Sequence, residues 1–232
     1  MESDNMEKSA NSHLDHLLAF LKKRIEADSV LAKIDGFLST KSSTAGSVRE
    51  NVFTREFLCP AIAAYFYDEA FPTLGLEPEA IKSGLGAEGH RHCEGFGFTP
   101  NGKAPHLFHK GDIIKSEPPP EWFASGGTLS GKTAWPDFAI RSPLPLSLVG
   151  EVKYFSGRSP KTAVKELYNA ARQVTFYLGA LRGDQRYDAG LLVIADASPG
   201  HMFSEGWKSL KPELRRRFGA DSGIHLLVVS LS

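Results

Sequence analysis

Two segments in the last quarter of the sequence are apolar without interruption, and they constrain the fold most strongly. They are Leu191-Leu192-Val193-Ile194 and Leu226-Leu227-Val228-Val229. A strand with one face in water alternates apolar and polar residues, whereas a strand covered by helices on both faces is continuously apolar. We therefore expect both segments to be strands of an α/β fold, in a central mixed sheet flanked by helices.

The surrounding residues predict further strands and helices in alternation. Strands are expected at 138–140, 146–155, 189–195 and 224–231, with helices at 160–181 and 204–218. Upstream, Ser47 and Glu50 form a capping box, and the helix that they open should run through Phe57, be kinked or interrupted by Pro60, and resume over 61–70. Glycines, prolines and turn pairs predict an irregular or β insertion at about 84–130.

The N-terminal region has a different pattern. Leucines at 14, 17, 18 and 21 and Ile25 recur at helical spacing and predict one or two amphipathic helices, followed by a small polar loop at 39–47. We expect residues 1–46 to form a helical appendage with its linker, and residues 47–232 to form the main domain.

Composition limits the class of protein. The net charge is zero, so bulk charge indicates no nucleic-acid partner, and two cysteines are too few for a disulfide framework. The sequence has no signal peptide pattern and no apolar run of bilayer-spanning length. We expect a cytoplasmic protein that does not enter a membrane.

Two carboxylates have a spacing that predicts a catalytic site. Asp137 opens one predicted strand and Glu151 lies in the next, each seven positions from Leu144 in a connector that holds Pro143 and Pro145. If the strands pair antiparallel about Leu144 without a bulge, the carboxylates stand opposite each other on one face of the sheet. Opposed like charges destabilise a sheet, so a cation is expected between them.

The chemistry of this pair favours a hard divalent cation. Mg²⁺, or Mn²⁺, takes oxygen ligands and is commonly held by one or two carboxylates. We expect Asp137, Glu151 and the backbone carbonyl of Val152 to be its protein ligands. Lys153, on the same strand face as Glu151, would position or help deprotonate the attacking water and offset negative charge on a phosphate.

The pattern Pro136-Asp137, thirteen residues, then Glu151-Val152-Lys153 resembles the bipartite motif of the PD-(D/E)XK nuclease superfamily. The resemblance covers about the last three-quarters of the chain. It implies a restriction-endonuclease-like core: a helix, a meander of strands that carries the motif, a helix and a further strand. It also implies metal-dependent hydrolysis of DNA.

The resemblance identifies further site residues. In the RecB-like branch the helix after the lysine carries a glutamine and a tyrosine four apart, and Gln173 and Tyr177 have that spacing here. By similarity they would support the site or touch the substrate. The superfamily also often places a glutamate on the first core helix; of the two available, Glu56 is preferred because the capping box already uses Glu50.

Basic and metal-ligating residues near the motif suggest further contacts. The expected phosphate contacts are Arg158, Lys161, Lys165 and Arg172. A second cluster offers nitrogen and sulfur ligands for Zn²⁺, although the same residues could contact nucleic acid or form an ordinary polar loop; its members are His90, His92, Cys93, His106 and His109.

The resulting prediction is a Mg²⁺-dependent DNA endonuclease with a restriction or other defence role. If it cuts palindromic sites on both strands, a homodimer is expected. Two enzyme alternatives are a RecB-like exonuclease and a ligand-activated effector nuclease. A third alternative, from another class, is a non-catalytic DNA- or protein-binding module on the same fold.

Overall fold

The fold is described by a computed structural model, for residues 2–27, 29–39, 46–70, 114–116, 137–141, 147–180, 189–218 and 222–231. Its strands are β1 (Ile114–Ser116), β2 (Phe138–Arg141), β3 (Ser147–Phe155), β4 (Ala189–Asp196) and β5 (Ile224–Ser230). They form one sheet in the order β1-β2-β3-β4-β5. The pairs β1–β2 and β2–β3 are antiparallel, whereas β3–β4 and β4–β5 are parallel. The predicted α/β class with a mixed sheet is thus confirmed.

Helices cover both faces of the sheet. On one side are α1 (Glu2–Glu26), α2 (Val30–Ser39), α3 (Gly46–Phe53) and α4 (Cys59–Tyr65); on the other are α5 (Pro160–Ala180), α6 (Met202–Ser209) and α7 (Pro212–Arg215). The helix predicted at 204–218 is therefore two helices, and α7 begins at Pro212, which has no N–H to donate to a preceding turn. Among the described segments, no helix has both the length and the hydropathy needed to cross a bilayer.

The N-terminal helices belong to the core of the sheet. Leu17 and Leu21 of α1 and Ile34 of α2 are fully buried in the same cluster of side chains as Val152 and Val193 from the central strands. The apolar stripes of α1 and α2 therefore pack directly on the sheet, and the domain boundary expected at residue 46 stays a prediction.

Helix α1 also covers the outer edge of β5. The Lys22 ammonium donates to the Val228 carbonyl at 3.0 Å, and the Glu26 carboxylate accepts the Ser230 N–H at 2.9 Å. An uncovered edge strand presents unpaired backbone groups that attract other chains. These two side chains therefore take the place of a further strand.

The segment from α3 to residue 70 is helical throughout, with wider π-helical turns at Thr54–Leu58 and Phe66–Ala70. The first π turn lies directly before Pro60, and its Cys59 N–H donates to the Thr54 carbonyl, five residues back. Since proline cannot donate to the preceding turn, the predicted interruption takes the form of a widened turn rather than a break.

Two glycines allow close packing around β3 and β4. A Cβ atom at Gly190 would overlap the Val174 side chain, so the absence of a side chain lets α5 lie against β4. A Cβ atom at Gly150 would overlap the ring of Phe138, its partner in the β2–β3 register. The Phe138 ring is fully buried over this glycine. Asp137 directly precedes Phe138 in the sequence, and Glu151 directly follows Gly150.

Of the predicted β insertion, the structure describes only residues 114–116, which form β1. The hairpin predicted from 96–98 and 106–108 lies outside the described residues.

Candidate active site

The site forms where β2 stops pairing with β3. Phe138 pairs with Gly150, which is the register that antiparallel pairing about Leu144 predicts, and the ladder ends at this pair, one residue before Asp137 and Glu151. The Asp137 N–H donates to the Gly150 carbonyl at 3.1 Å. Its carboxylate oxygen Oδ2 accepts the Val152 N–H at 2.7 Å. The carboxylate of Asp137 thus accepts the hydrogen bond that a backbone carbonyl would accept if β2 continued.

Glu151 is the centre of the hydrogen-bonding network. Its side chain is buried, with 2% of the residue exposed. Oε1 accepts a charge-assisted hydrogen bond from Lys153 Nζ at 2.6 Å, and Oε2 accepts one from the Tyr177 hydroxyl at 3.1 Å. The Gln173 side chain hydrogen-bonds to the same hydroxyl. The structure therefore brings together Asp137, Glu151, Lys153, Gln173 and Tyr177.

The glutamate of the first core helix that reaches this cluster is Glu50. Its Oε1 lies 3.4 Å from Lys153 Nζ, and its Oε2 accepts the Tyr154 N–H at 3.2 Å. The preferred candidate, Glu56, instead lines a separate pocket of about 140 Å³ beside Arg24 and Pro60.

The choice of Glu56 is thus corrected. It rested on a capping role for Glu50, whereas α3 begins at Gly46 and the carboxylate of Glu50 turns to β3. Glu50 and Glu56 are six positions apart, which places the two side chains on different faces of the helical segment. The spacing to Ser47 gave no information about which carboxylate faces the sheet.

Arg49 is a second residue that the sequence did not reveal. Its guanidinium donates to the Asp35 carboxylate at 2.7 Å and to the Tyr154 hydroxyl at 3.4 Å, which fixes α3 against both α2 and β3. No local pattern signals this pairing, because its partners lie 14 and 105 positions away.

Burial and crowding of the carboxylates shift the acid–base properties of the site. Burial, and then the charge of Glu151, raise the pKa of Asp137 from 3.8 to about 8, against the opposing effects of Lys153 and the Val152 N–H. Burial also raises the pKa of Glu151, opposed by Lys153 and by the hydrogen bond from Tyr177.

The pKa values of Lys153 and Tyr177 are raised as well. Burial alone would lower the pKa of Lys153, but the surrounding carboxylates outweigh it and raise the pKa above its usual value of 10.5. Burial and the Glu151 charge raise the pKa of Tyr177 well above its usual 10.0. Without a bound cation, Lys153 is thus a charged donor and Tyr177 a neutral one.

The donor set fits a hard divalent cation with two carboxylates. In an extended strand both backbone polar groups of one residue point to the same side, so the Val152 carbonyl faces the side of β3 where Asp137 takes the Val152 N–H. Asp137, Glu151 and this carbonyl supply the few protein oxygens that Mg²⁺ needs beside water and phosphate. Within the described residues, no group of three or more His, Cys, Asp or Glu side chains is placed to share a metal ion.

The predicted substrate-contacting residues lie on the protein surface, outside the hydrogen-bonding network of the site. Arg158 is exposed in the loop between β3 and α5, and three basic residues are exposed along α5: Lys161, Lys165 and Arg172. The five predicted zinc ligands, His90, His92, Cys93, His106 and His109, all lie outside the described residues.

Comparison of the chain with protein-family models found no match, and the comparisons with curated proteins and with solved structures found none either.

Proposed function

We propose that the protein is a metal-dependent DNA nuclease with a restriction-endonuclease-like core. The observation that carries the proposal is the grouping of Asp137, Glu151 and Lys153 where β2 ends, with the two carboxylates close enough for the charge of Glu151 to raise the pKa of Asp137. Support also comes from the order of elements around them: helix, three-strand meander, helix, strand. This is the order that the resemblance to PD-(D/E)XK nucleases implies.

Three residues would hold the metal ion, and Lys153 would act on the phosphate or the water. Asp137, Glu151 and the Val152 carbonyl would hold Mg²⁺ or Mn²⁺, which when bound polarises a phosphodiester oxygen and lowers the pKa of a coordinated water. Lys153 would donate to the phosphate or orient the water. Its raised pKa supports the role of a cationic donor and disfavours that of a general base.

Tyr177 and Gln173 would act as positioning residues. The Tyr177 hydroxyl holds Glu151 Oε2, and Gln173 contacts that hydroxyl. Glu151 Oε1 binds Lys153, which in turn contacts Glu50. Such a chain of hydrogen bonds fixes the orientation of a ligand carboxylate and keeps the lysine beside the phosphate position.

The experiment that tests this function is incubation of purified protein with supercoiled plasmid, with Mg²⁺, with Mn²⁺ and with EDTA. Asp137→Asn and Lys153→Ala are the test variants, and Glu56→Gln is the control. Metal-dependent cutting by the wild type and the control, lost in both test variants, is the expected result. Cleavage of closed circles distinguishes an endonuclease from a RecB-like exonuclease, which requires ends.

A wild type that cuts neither plasmid nor linear nor single-stranded DNA with either metal would contradict the proposal. The restriction or defence role, the homodimer and the cytoplasmic location stay predictions.

A further inference from the structure

The solvent-facing side of α5 carries a continuous row of basic and aromatic residues, which we name the α5 stripe. Successive members are three or four positions apart, so they lie one above another on the helix surface: Lys161, Lys165, Tyr168, Arg172 and Phe176. All five side chains are exposed, and the opposite side of the helix is buried against the sheet and α6. No packing role within the described core accounts for the row.

The two aromatic members are unusual for their exposure. Tyr168 is 45% and Phe176 is 51% exposed, and they are the exposed large hydrophobic side chains of the described residues. Burying rings of this size would be favourable, and two such rings in line with cations on one helix face form a candidate surface for a ligand. The Phe176 ring contacts that of Tyr177, with 6.2 Å between centroids, and Tyr177 binds Glu151. One end of the stripe therefore adjoins the candidate site.

The three basic members specify the charge of that ligand. Within the part of the chain that the structure describes, Lys161, Lys165 and Arg172 make no ion pair. The last three members alternate ring, cation and ring, as bases alternate with phosphates along a strand, and two further unpaired cations precede them. Tyr168 and Phe176 are about 12 Å apart along the helix axis, at 1.5 Å per residue.

Stacking on a protein ring requires a base whose face is accessible. Base faces are covered in a duplex and open in a single strand, where stacking on aromatic side chains is a main source of affinity. We propose that the α5 stripe binds single-stranded DNA, with Tyr168 and Phe176 stacking on bases and the three cations contacting phosphates. This inference rests on the proposed nuclease function and names the unpaired strand as the form of DNA led to Glu151.

The test is a binding measurement in EDTA, so that no cleavage occurs. Fluorescence anisotropy would follow a labelled oligothymidine of about 20 nucleotides, long enough for one such site, and a duplex of equal length. Tyr168→Leu and Phe176→Leu keep apolar bulk but remove the ring. We expect each to weaken binding on the order of tenfold, and the duplex to bind more weakly than the single strand.

Charge variants supply an independent readout. Lys161→Ala and Arg172→Ala should each lower the slope of log Kd against log salt concentration by about 0.7, the contribution of one phosphate contact on a single strand. Lys23→Ala is the matched control, because Lys23 is exposed on α1, which covers the opposite face of the sheet. It should leave affinity and slope unchanged.

Equal affinity for duplex and single strand, or wild-type affinity in both leucine variants, would overturn the proposal. The nuclease function is judged separately, by metal-dependent cutting of plasmid or of single-stranded DNA. If the protein cuts DNA but binds it equally well without the two rings, the α5 stripe proposal is wrong and the nuclease proposal stands. If binding depends on the rings but no substrate is cut, the nuclease proposal is wrong and the α5 stripe proposal stands.

Discussion

The main-chain N–H of Val152 donates to the side chain of Asp137, 2.7 Å away, at the point where β2 ends. Two positions later the Tyr154 N–H donates to Glu50. Both donors lie on the edge of β3 that pairs with β2 earlier in the strand, and carboxylates take over where pairing ceases. Two acidic side chains of the site are thus anchored to the backbone of one strand.

The first prediction compares Glu50→Gln with Glu56→Gln. The glutamine at 50 can still accept the Tyr154 N–H, but it removes the negative charge beside Lys153. Glu56 lines a different pocket. We expect Glu50→Gln to slow plasmid cleavage by about tenfold, the loss of one modest charged interaction, and Glu56→Gln to leave the rate unchanged. Equal rates for the two variants would count against a role for Glu50.

The second prediction concerns the Tyr177 hydroxyl. Tyr177→Phe keeps the buried ring but leaves Glu151 Oε2 without its donor. We expect the free energy of unfolding, from urea denaturation in EDTA, to fall by about 1–3 kcal/mol, the usual cost of an unsatisfied buried acceptor. Tyr168→Phe, on the exposed face of the same helix, should change it by less than about 0.5 kcal/mol. Similar values for the two variants would show that the hydroxyl is not needed.

The third prediction is a pH dependence of stability without metal. The pKa of Asp137 is raised in the folded protein from 3.8 to about 8, so the folded state holds a proton that the unfolded chain has released. Its contribution to stability is fully present below pH 3.8 and is lost as the pH rises through about 8. The raised pKa of Glu151 acts in the same direction, whereas the raised pKa of Lys153 affects stability only above pH 10.5.

Urea denaturation in EDTA at pH 6 and pH 8 should therefore give a lower free energy of unfolding at pH 8. Asp137→Asn should have a weaker dependence over this range, because the amide does not titrate. Added Mg²⁺ should oppose the loss at high pH, since a cation favours the ionised carboxylates. Stability that rises from pH 6 to pH 8 in EDTA would contradict the assignment.

The fourth prediction tests the packing of Phe138 on Gly150. A methyl group at 150 would overlap the ring, so Gly150→Ala should lower the free energy of unfolding by about 1–3 kcal/mol. Gly36→Ala is the control, because a Cβ atom there meets nothing within 4 Å in helix α2. It should stabilise the protein by about 0.5–1 kcal/mol through its effect on helix propensity. A stabilising Gly150→Ala would refute the packing argument.

Much of the sheet could be predicted because its signals are local. The continuous apolar runs identify β4 and β5, and the symmetric spacing about Leu144 gives the β2–β3 register. The helix predicted at 160–181 likewise corresponds to α5, which the structure describes as Pro160–Ala180. Each of these patterns depends on neighbouring residues alone.

The features that could not be predicted depend on residues far apart in the chain. Glu50 reaches Lys153 across 103 positions, and the direction of its side chain is set by the packing of α3 on β3. Similarly, nothing in the first 46 residues indicates that α1 lies along β5. An amphipathic pattern shows which face of a helix is buried, but it does not identify the element that the face packs against.

The contact between α1 and β5 has a consequence for how the protein is made. Lys22 and Val228 meet across 206 positions, so the partner of α1 leaves the ribosome only after nearly every other described element has been synthesised. The part of α1 that covers β5 must wait, because contacts this distant in sequence form late and slowly. From the synthesis of α1 until the arrival of β5, this part of the helix is therefore open to contact with other chains or with a chaperone.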